Sequence, residues 1–433
     1  MFIYNIIAEI ANFIHGTGME YEIITDYLCC RDSKSLLSDE DELVNLINFD
    51  CVSQLSLFDD NNTIQSSATN LMNSENYLGL VELLSRLDNF VGQESYLYEE
   101  ESDVFDPLNS NFLDSIILLP RVIQRINWSH SIDELSGNIN SIIHNLYVIY
   151  IPDLSGYNII NHFIDIGYER SNSNEKFRIG GSPVSNKTKV NVLDNQESNI
   201  NNMIFDISYE NEDAFIDQII SIIEKSENLK INMLVFPELI SNKRINDAII
   251  NKIKSLNLNY IKIIALPTYY DEKSFQNIGC VYSVDQKRVI ISQSKTFSYI
   301  QYKNKSKEKL NKNIIIHILH IKDLGRVVFP ICKDLLVDKY INLCKAVNAS
   351  FIIVRSFSPG KYGYIYFQRI IKAYTSFECC GFWINACSYK MDDDDKRVFC
   401  IKAHSKDFSL NEKEGIISCR MDCDNCIEYF DTM

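Results

Sequence analysis

The pattern of hydrophobic positions changes in kind along the chain. In the first part, apolar residues recur at helical spacing, as in the stripe from Phe2 to Ile14, which Gly16 follows as a C-cap. A second stripe covers Leu78–Val91. Further apolar runs cover 112–126, 139–151 and 157–167. This spacing predicts a mostly α-helical N-terminal region.

From about residue 200, short apolar runs alternate with helical stretches. Helices are predicted around 215–223 and 336–347, and short strands lie between and after them. Two late strands, near 397–403 and 414–420, would complete the sheets. Helices alternating with strands and hairpins favour a layered α/β sandwich with mixed sheets.

Three of these strands end in a reactive side chain. The apolar run Ile231–Pro237 leads to Glu238, Val289–Ser294 leads to Lys295, and Val327–Ile331 leads to Cys332. Strand ends often carry the chemistry of α/β proteins, because a rigid sheet aims the side chain and the following loop leaves room for substrate. A base, a cation and a thiol are the groups that covalent acyl transfer requires.

Charge is distributed unevenly over the 433 residues, whose net charge is −16. Residues 1–180 hold 8 Lys and Arg against 28 Asp and Glu, and residues 181–433 hold 34 against 30. This step predicts an acidic, mostly α-helical accessory domain over 1–169, a polar linker over 170–190 and a second domain over 191–433. Nucleic acid is not expected as a partner, because the first domain lacks a basic face.

Cellular location is predicted from what the sequence lacks. No apolar stretch approaches the ~20 residues of a membrane helix, so no membrane association is expected. The first ten residues lack a basic leader and a cleavage site, which predicts a cytoplasmic protein. The 13 cysteines show no even framework and are interpreted as reduced thiols.

Residues from about 200 to 422 resemble the nitrilase, or carbon–nitrogen hydrolase, superfamily. The resemblance rests on Phe236-Pro237-Glu238, then Lys295, then Ile331-Cys332-Lys333-Asp334, in the order of the family. Supporting positions are Asn277, Gly325, Asn348–Val354 and Trp383–Ala386. The resemblance implies an α/β fold in which a C-terminal four-layer α-β-β-α sandwich follows the mostly helical N-terminal domain.

The resemblance also implies roles for individual residues. Cys332 would attack an amide or nitrile carbon, and Glu238 would act as general base and then as general acid. Lys295 and the backbone N–H of Lys333 would stabilise the tetrahedral intermediate. Glu308 lies about where the family places a second, orienting glutamate. A cation beside the Cys332 thiol would also lower its pKa from about 8.5 towards neutrality.

Cofactor, substrate and assembly follow from the same resemblance. The chemistry requires neither a metal nor an organic cofactor, and the expected substrate is a small-molecule amide. A homodimer or larger homo-oligomer is implied. Lys333 replaces the aromatic residue usual after the cysteine of the family, and Leu335-Leu336-Val337-Asp338 replaces a common Pro-Glu pair. Lys333 suggests a substrate that carries a carboxylate or phosphate.

Non-catalytic interpretations remain open for each residue. Cys332 alone fits a small buried hydrophobe, Glu238 an acid at a helix start, and Lys295 a surface charge. Glu308 falls in the charged segment 303–309, which fits a solvated loop. The whole domain could be a nitrilase fold kept as an interaction or regulatory module. The N-terminal domain would then bind a protein partner. Nitrilase-like domains also occur fused to other modules in bacterial phage-defence proteins, so by analogy alone the alternative includes a role in defence.

Metal binding is a further alternative. Cys419, Cys423 and Cys426 have a C-x3-C-x2-C spacing, to which Cys400 or His404 could add a zinc ligand. His317 and His320 stand three apart in an alternating strand, so they should face opposite sides of the sheet and not share one metal.

Overall fold

The fold is described from a computed structural model. It covers residues 2–31, 61–92, 116–120, 139–143, 146–150, 156–167, 177–184, 188–193, 201–301, 306–311, 313–322, 324–358, 365–366, 368–370, 373, 379–386, 398–401 and 428–432. The chain forms two compact units. The first comprises Met1–Val122 and Asn127–Asp153, and the second comprises Ile123–Ile126 and Leu154–Met433.

The first unit is mostly helical in its described residues. Its elements are α1 (Phe2–Gly16), α2 (Glu20–Arg31), α3 (Asn61–Asn73), α4 (Tyr77–Gly92), β1 (Ile116–Pro120), a 3₁₀ turn (Ile139–Ser141) and β2 (Leu146–Tyr150). The stripes predicted from Phe2 and Leu78 form α1 and α4, which pack together because their apolar faces are buried. The apolar runs 112–126 and 139–151 contain β1 and β2, which pair antiparallel.

The second unit alternates strands and helices. Its strands up to β10 are β3 (Asn158–Ile164), β4 (Phe177–Gly181), β5 (Thr188–Leu193), β6 (Asn202–Ile207), β7 (Met233–Val235), β8 (Ile263–Ala265), β9 (Tyr269–Asp271) and β10 (Gln276–Ser283). The later strands are β11 (Arg288–Ser294), β12 (Ile300–Gln301), β13 (Ser306–Glu308), β14 (Ile315–Ile321), β15 (Gly325–Val328), β16 (Phe351–Ser356), β17 (Cys380–Asn385), β18 (Val398–Ile401) and β19 (Glu428–Thr432). The helices are α5 (Glu212–Asn228), α6 (Lys243–Ile253) and α7 (Asp338–Ala346).

Two sheets of the second unit stack face to face. The β7 sheet has the strand order β11-β10-β8-β7-β4-β19, with β9 paired to β10. The β15 sheet has the order β18-β17-β16-β15-β14-β3. Strands β4, β7 and β8 run parallel, as do β15, β16 and β17. Strands β7 and β8 are buried on both faces, which explains why they are continuous apolar runs in the sequence.

Apolar side chains fill the space between the two sheets. Met233 and Val235 of the β7 sheet meet Val327 and Ile353 of the β15 sheet in one core cluster. Helices α5 and α6 cover the other face of the β7 sheet. Helical residues including Ile370 cover β17 so closely that a Cβ at Gly381 would overlap Ile370. The predicted four-layer α-β-β-α sandwich is therefore confirmed.

A small third sheet carries one predicted site residue. Strands β12, β13, β6 and β5 pair in that order, and β13 runs parallel to β6 with Glu308 opposite Met203. The sequence pattern indicates a charged loop over 303–309, whereas the structure has β13 in this segment. A strand of three residues is too short to show a pattern among the alternating Lys residues. Ser306 and Glu308 face inward from β13, whereas Lys307 between them is exposed.

The domain boundary differs from the predicted one. The segments predicted as the end of the first domain and as a linker contain β3, β4 and β5, which belong to the second unit. Strand β3 pairs in parallel with β14 from Asn158 opposite Ile315 to Ile164 opposite Ile321. Strand β4 pairs with β7 and with β19. The step in charge does not coincide with the boundary, because surface charge carries no information about strand pairing.

Some predicted features lie outside the described residues. These are the polar segment 170–175, the strand near 414–420, His404 and the cysteines Cys419, Cys423 and Cys426. The strand near 397–403 is present as β18. No helix in the described ranges has the length and apolar character to cross a membrane.

Candidate active site

Glu238 is held just beyond the end of β7. Phe236 N still donates to Ala265 O of β8, at 3.0 Å, so the strand pairing continues to the residue before Pro237. The chain then turns at Leu239, whose φ is +53°. The Glu238 side chain is buried, and its Oε2 accepts a hydrogen bond from Phe357 N at 2.8 Å. Backbone from both large sheets therefore positions this carboxylate.

Lys295 links two buried carboxylates. It follows β11, where its backbone N donates to Asn277 O at 2.8 Å. Its Nζ donates to Glu238 Oε1 and to Glu308 Oε2, each at 2.8 Å. All three side chains are at most 2% exposed, so their charges interact with little screening by water. Tyr299 N also donates to Glu308 Oε2, at 2.8 Å, which fixes the second carboxylate.

Cys332 occupies a sharp turn after β15. Its φ is +51°, in the left-handed region that a non-glycine residue rarely adopts. Such backbone strain persists only where the surrounding structure enforces it, and it is common at functional sites. The Cys332 Sγ lies 3.1 Å from Tyr366 Oη, and the thiol is near enough to Glu238 for the charge of that carboxylate to affect the pKa of Cys332. The turn thus holds the thiol against Tyr366 and near the Glu238 carboxylate.

Electrostatics keep the thiol protonated. Burial, and then the Glu238 charge, raise the pKa of Cys332 to about 12, against the opposing effects of Lys295 and Tyr366. The expectation that a neighbouring cation brings this pKa towards neutrality is therefore wrong. Lys295 is shared between two carboxylates and cannot offset the loss of water around the sulfur. A neutral thiol needs a base before it can attack.

Burial affects the pKa values of both Glu238 and Lys295. Burial raises the pKa of Glu238, and Lys295 opposes that rise. Burial alone would lower the pKa of Lys295, but Glu238 and Glu308 together raise it well above its usual value. Lys295 is therefore a permanent cation, and Glu238 is a base of raised proton affinity beside a neutral thiol.

Asn277 orients both carboxylates, although the sequence assigns it only a supporting position ahead of a strand. Its Nδ2 donates to Glu238 Oε1 at 2.8 Å and to Glu308 Oε1 at 3.4 Å. Its Oδ1 accepts a hydrogen bond from Thr268 Oγ1 at 2.9 Å, which fixes the orientation of the amide. Nothing in the local sequence shows this role, because the partners are 31 and 39 residues away.

Asp334 connects the lysine loop to the cysteine turn. Its Oδ1 accepts from Thr296 N at 3.0 Å and Phe297 N at 2.9 Å, and its Oδ2 accepts from Ile331 N at 3.2 Å. Burial raises the pKa of this carboxyl to about 7, against the three backbone donors and Lys295. One fully buried side chain thus ties the residues beside Lys295 to the residue before Cys332.

Replacing Asp334 with asparagine should loosen this connection. The new NH2 group cannot accept, so at least one backbone N–H loses its partner. We expect a loss of about 1–3 kcal/mol in unfolding free energy and a drop in the rate of Cys332 alkylation. Urea unfolding and mass-spectrometric labelling measure the two effects. Replacing the exposed Asp285 with asparagine is the control, and an equal effect of both changes would contradict the account.

Lys333 is placed beside the cluster. Its Nζ donates to Ser298 O at 2.9 Å, and burial lowers its pKa. Ser298 precedes Tyr299, whose backbone N holds Glu308. The Lys333 side chain therefore contacts the loop between Lys295 and Glu308. The roles of its side chain in substrate binding and of its N–H in oxyanion binding stay predictions.

The histidines of β14 do not form a joint site. His317 Nδ1 lies 2.8 Å from His162 Nε2, whereas His320 Nε2 lies 2.9 Å from Asn161 Oδ1. The two side chains take different partners, in agreement with the prediction that they face opposite sides of the strand. Across the ranges that the structure describes, no group of three or more His, Cys, Asp or Glu residues is arranged to hold a metal ion.

Comparisons with known proteins give matches in solved structures alone. No protein-family model and no curated protein matches the chain. An amidase from Nesterenkonia sp. is similar, with 10% identity and a TM-score of 0.42 over 59% of this chain and 90% of that chain. A glutamine-dependent NAD+ synthetase from Acinetobacter baumannii has 12% identity and a TM-score of 0.40, over 59% of this chain and 45% of that chain. Nit3 of Saccharomyces cerevisiae, a member of branch 10 of the nitrilase superfamily, has 14% identity and a TM-score of 0.38, over 57% and 91%.

Proposed function

We propose that the second unit hydrolyses carbon–nitrogen bonds of small amides through an acyl-enzyme on Cys332. One observation carries the proposal: Lys295 Nζ contacts both Glu238 and Glu308 at 2.8 Å, and Glu238 also interacts electrostatically with the Cys332 thiol. These residues come from separate strand ends, and they place a base, a cation and a nucleophile around one point. A purely structural ion pair would not need a strained cysteine facing it.

In the first half-reaction, the Cys332 sulfur attacks the amide carbon while Glu238 takes the thiol proton. A C–S bond forms, and the carbonyl oxygen becomes an oxyanion that the Lys295 ammonium stabilises. The C–N bond then breaks as Glu238 passes its proton to the nitrogen, so ammonia or an amine leaves and a thioester remains. Glu238 thus acts first as base and then as acid.

In the second half-reaction, water hydrolyses the thioester. Glu238 takes one proton from the attacking water, and a C–O bond forms. The C–S bond breaks, the sulfur recovers the proton, and the carboxylic acid leaves. Glu308 and Asn277 stay in contact with the carboxylate and the ammonium throughout, which keeps both in place for each transfer. Nitriles would use the same groups, with a thioimidate as first intermediate.

The pH dependence of ammonia release tests the assignment of Glu238. A protonated carboxyl cannot accept the thiol proton, and burial raises the pKa of Glu238. We therefore expect activity to fall on the acid side with a midpoint above the value of about 4.3 for an ordinary glutamate. The measurement is ammonia released from a panel of small neutral and acidic amides and nitriles, between pH 4 and pH 9.

Glu238→Gln is the matched variant, because it keeps the shape and removes the base. We expect it to release ammonia at least about a hundredfold more slowly. Wild-type protein that releases no ammonia from any member of the panel would count against the proposed function. So would a Glu238→Gln variant as active as the wild type.

A further inference from the structure

Arg355 is a buried cation that the reaction above does not use. It lies in β16, is fully buried and faces the space between the two large sheets, on the same side as Phe351 and Ile353. Its Nη1 donates to Leu266 O at 3.1 Å. Among the described residues, its Nε and Nη2 have no hydrogen-bond acceptor. Buried guanidinium groups normally satisfy their donors, so this arrangement requires an explanation.

Gly279 makes the room for this guanidinium. Gly279 lies in β10, and an ideal Cβ built on it would overlap the Arg355 guanidinium. On another side, the Arg355 Cζ lies 6.0 Å from the centre of the Phe329 ring. A larger residue at 279 would displace the charge, so the glycine and the arginine form a matched pair across the two sheets.

Arg355 is connected to the proposed active site through its backbone and through its side chain. Its backbone pairs with Ile331, the residue before Cys332. Two residues later, Phe357 N donates to Glu238 Oε2 at 2.8 Å. The carbonyl that Nη1 holds belongs to Leu266, two residues before Thr268, which orients Asn277. Arg355 therefore supports the elements that fix the Glu238 carboxylate.

The charge of Arg355 also reaches Glu238. Burial lowers the pKa of Arg355 to about 10, and Glu238 acts against that change, so the guanidinium is a cation at neutral pH. Other ionisable groups facing Arg355 are Cys280 and Tyr340. The groups facing Glu238 are Lys295, Glu308, Cys332 and Tyr366. The two glutamates and Lys295 leave one negative charge, which Arg355 balances.

We propose that Arg355 is a positioning residue that keeps Glu238 in the carboxylate form, the form that accepts the Cys332 proton. It acts through its charge and through the Leu266–Thr268 segment. The proposal rests on the proposed function in so far as Glu238 is the base. It goes beyond that function by assigning a fourth charged residue, outside the cluster itself, to the control of proton transfer.

The pH dependence of Cys332 alkylation by iodoacetamide tests the proposal without requiring turnover. In this reaction a C–S bond forms, iodide leaves and Glu238 takes the thiol proton. Mapping by mass spectrometry separates Cys332 from the other cysteines. We expect Arg355→Met to shift the acid-side midpoint upward by about one pH unit, because a nearby positive charge favours the carboxylate. Arg355→Lys should restore most of the shift, since it keeps the charge.

Three control variants test whether the acid-side transition belongs to Glu238 and whether its shift is specific to Arg355. Glu238→Gln should abolish the acid-side transition, and Asp334→Asn should not, which assigns the transition to Glu238. Arg326→Met removes another buried guanidinium, at the start of β15, whose Nη1 donates to Val347 O. We expect no shift for it. An unshifted midpoint in folded Arg355→Met, or an equal shift in Arg326→Met, would overturn the proposal.

Gly279→Ala provides a second route if Arg355→Met does not fold. It retains the arginine and forces the guanidinium away, so the midpoint should again move upward, and an unchanged midpoint would overturn the proposal. Failure of the proposed function can be distinguished from failure of the role proposed for Arg355. Protein that alkylates with the Arg355-dependent midpoint but hydrolyses no amide refutes the proposed function and supports this role of Arg355.

Discussion

Replacing Lys295 with methionine is expected to destabilise the second unit by about 3–5 kcal/mol, because it leaves two buried carboxylates without their cation. Glu238 and Glu308 are each at most 1% exposed, and each accepts a 2.8 Å hydrogen bond from this ammonium. Their like charges would then repel in a medium of low dielectric constant. Amide hydrolysis should be lost as well, because the group that stabilises the oxyanion is gone.

The loss of stability should depend on pH. Without Lys295, the pKa of Glu238 in the folded protein rises further above its value in the unfolded chain. The folded state then binds more protons than the unfolded state, so the variant regains stability as pH falls from 8 to 5. Urea unfolding at both pH values measures this. Lys252→Met, which breaks an exposed pair with Asp217, is the control and should change little. Equal behaviour of the two variants would contradict the account.

Replacing Cys332 with alanine should lower amide hydrolysis by at least about a thousandfold while the protein stays folded. The sulfur forms the covalent bond of the proposed intermediate, and no other group in the cluster can replace it. Cys332→Ser should be nearly as inactive, because Glu238 would have to ionise a hydroxyl instead of a thiol. Rates of ammonia release and thermal unfolding curves are the measurements.

Cys344→Ala is the matched control for the loss of a buried thiol. Cys344 lies in α7, is fully buried, and makes no contact with the carboxylates or with Lys295 that the structure records. We expect this variant to keep its activity even if it loses some stability through the small cavity that it creates. Equal loss of activity in Cys344→Ala and Cys332→Ala would show that the effect is structural.

The sequence predicts the strand ends well. Glu238, Lys295 and Cys332 each follow an apolar run long enough to indicate a buried strand, and each is the first charged or reactive residue after it. Because strands aim their final side chains at one edge of a sheet, these three could be predicted to converge. In the structure, Glu238 accepts a hydrogen bond from Lys295 and interacts electrostatically with the Cys332 thiol.

Other parts of the site depend on long-range packing and are hidden in the sequence. Glu308 is on a strand of three residues, too short to show a pattern, and its position came from the family resemblance. Tyr366 reaches the thiol from 34 residues away. The raised pKa of Cys332 depends on how completely the sulfur loses water, which composition does not reveal.

In the first unit too, strand pairing could not be predicted from the sequence. The apolar runs at 112–126 and 139–151 lie in the region predicted as mostly helical, but they contain β1 and β2, which are stabilised by pairing with each other. Helices α1 and α4 were predictable, because their spacing of apolar residues is a local property. Strand pairing joins distant residues, and a single sequence does not specify the partner.

Detection of the acyl-enzyme tests the central claim most directly. Wild-type protein is mixed with a small amide or its ester analogue, quenched in acid and measured as an intact chain, and the modified peptide is then mapped. We expect added mass equal to one acyl group, on Cys332, released as a hydroxamate by hydroxylamine and absent in Cys332→Ala. An acyl group that persists in Cys332→Ala, or amide hydrolysis by wild type with no acyl group on Cys332 at any quench time, would contradict it.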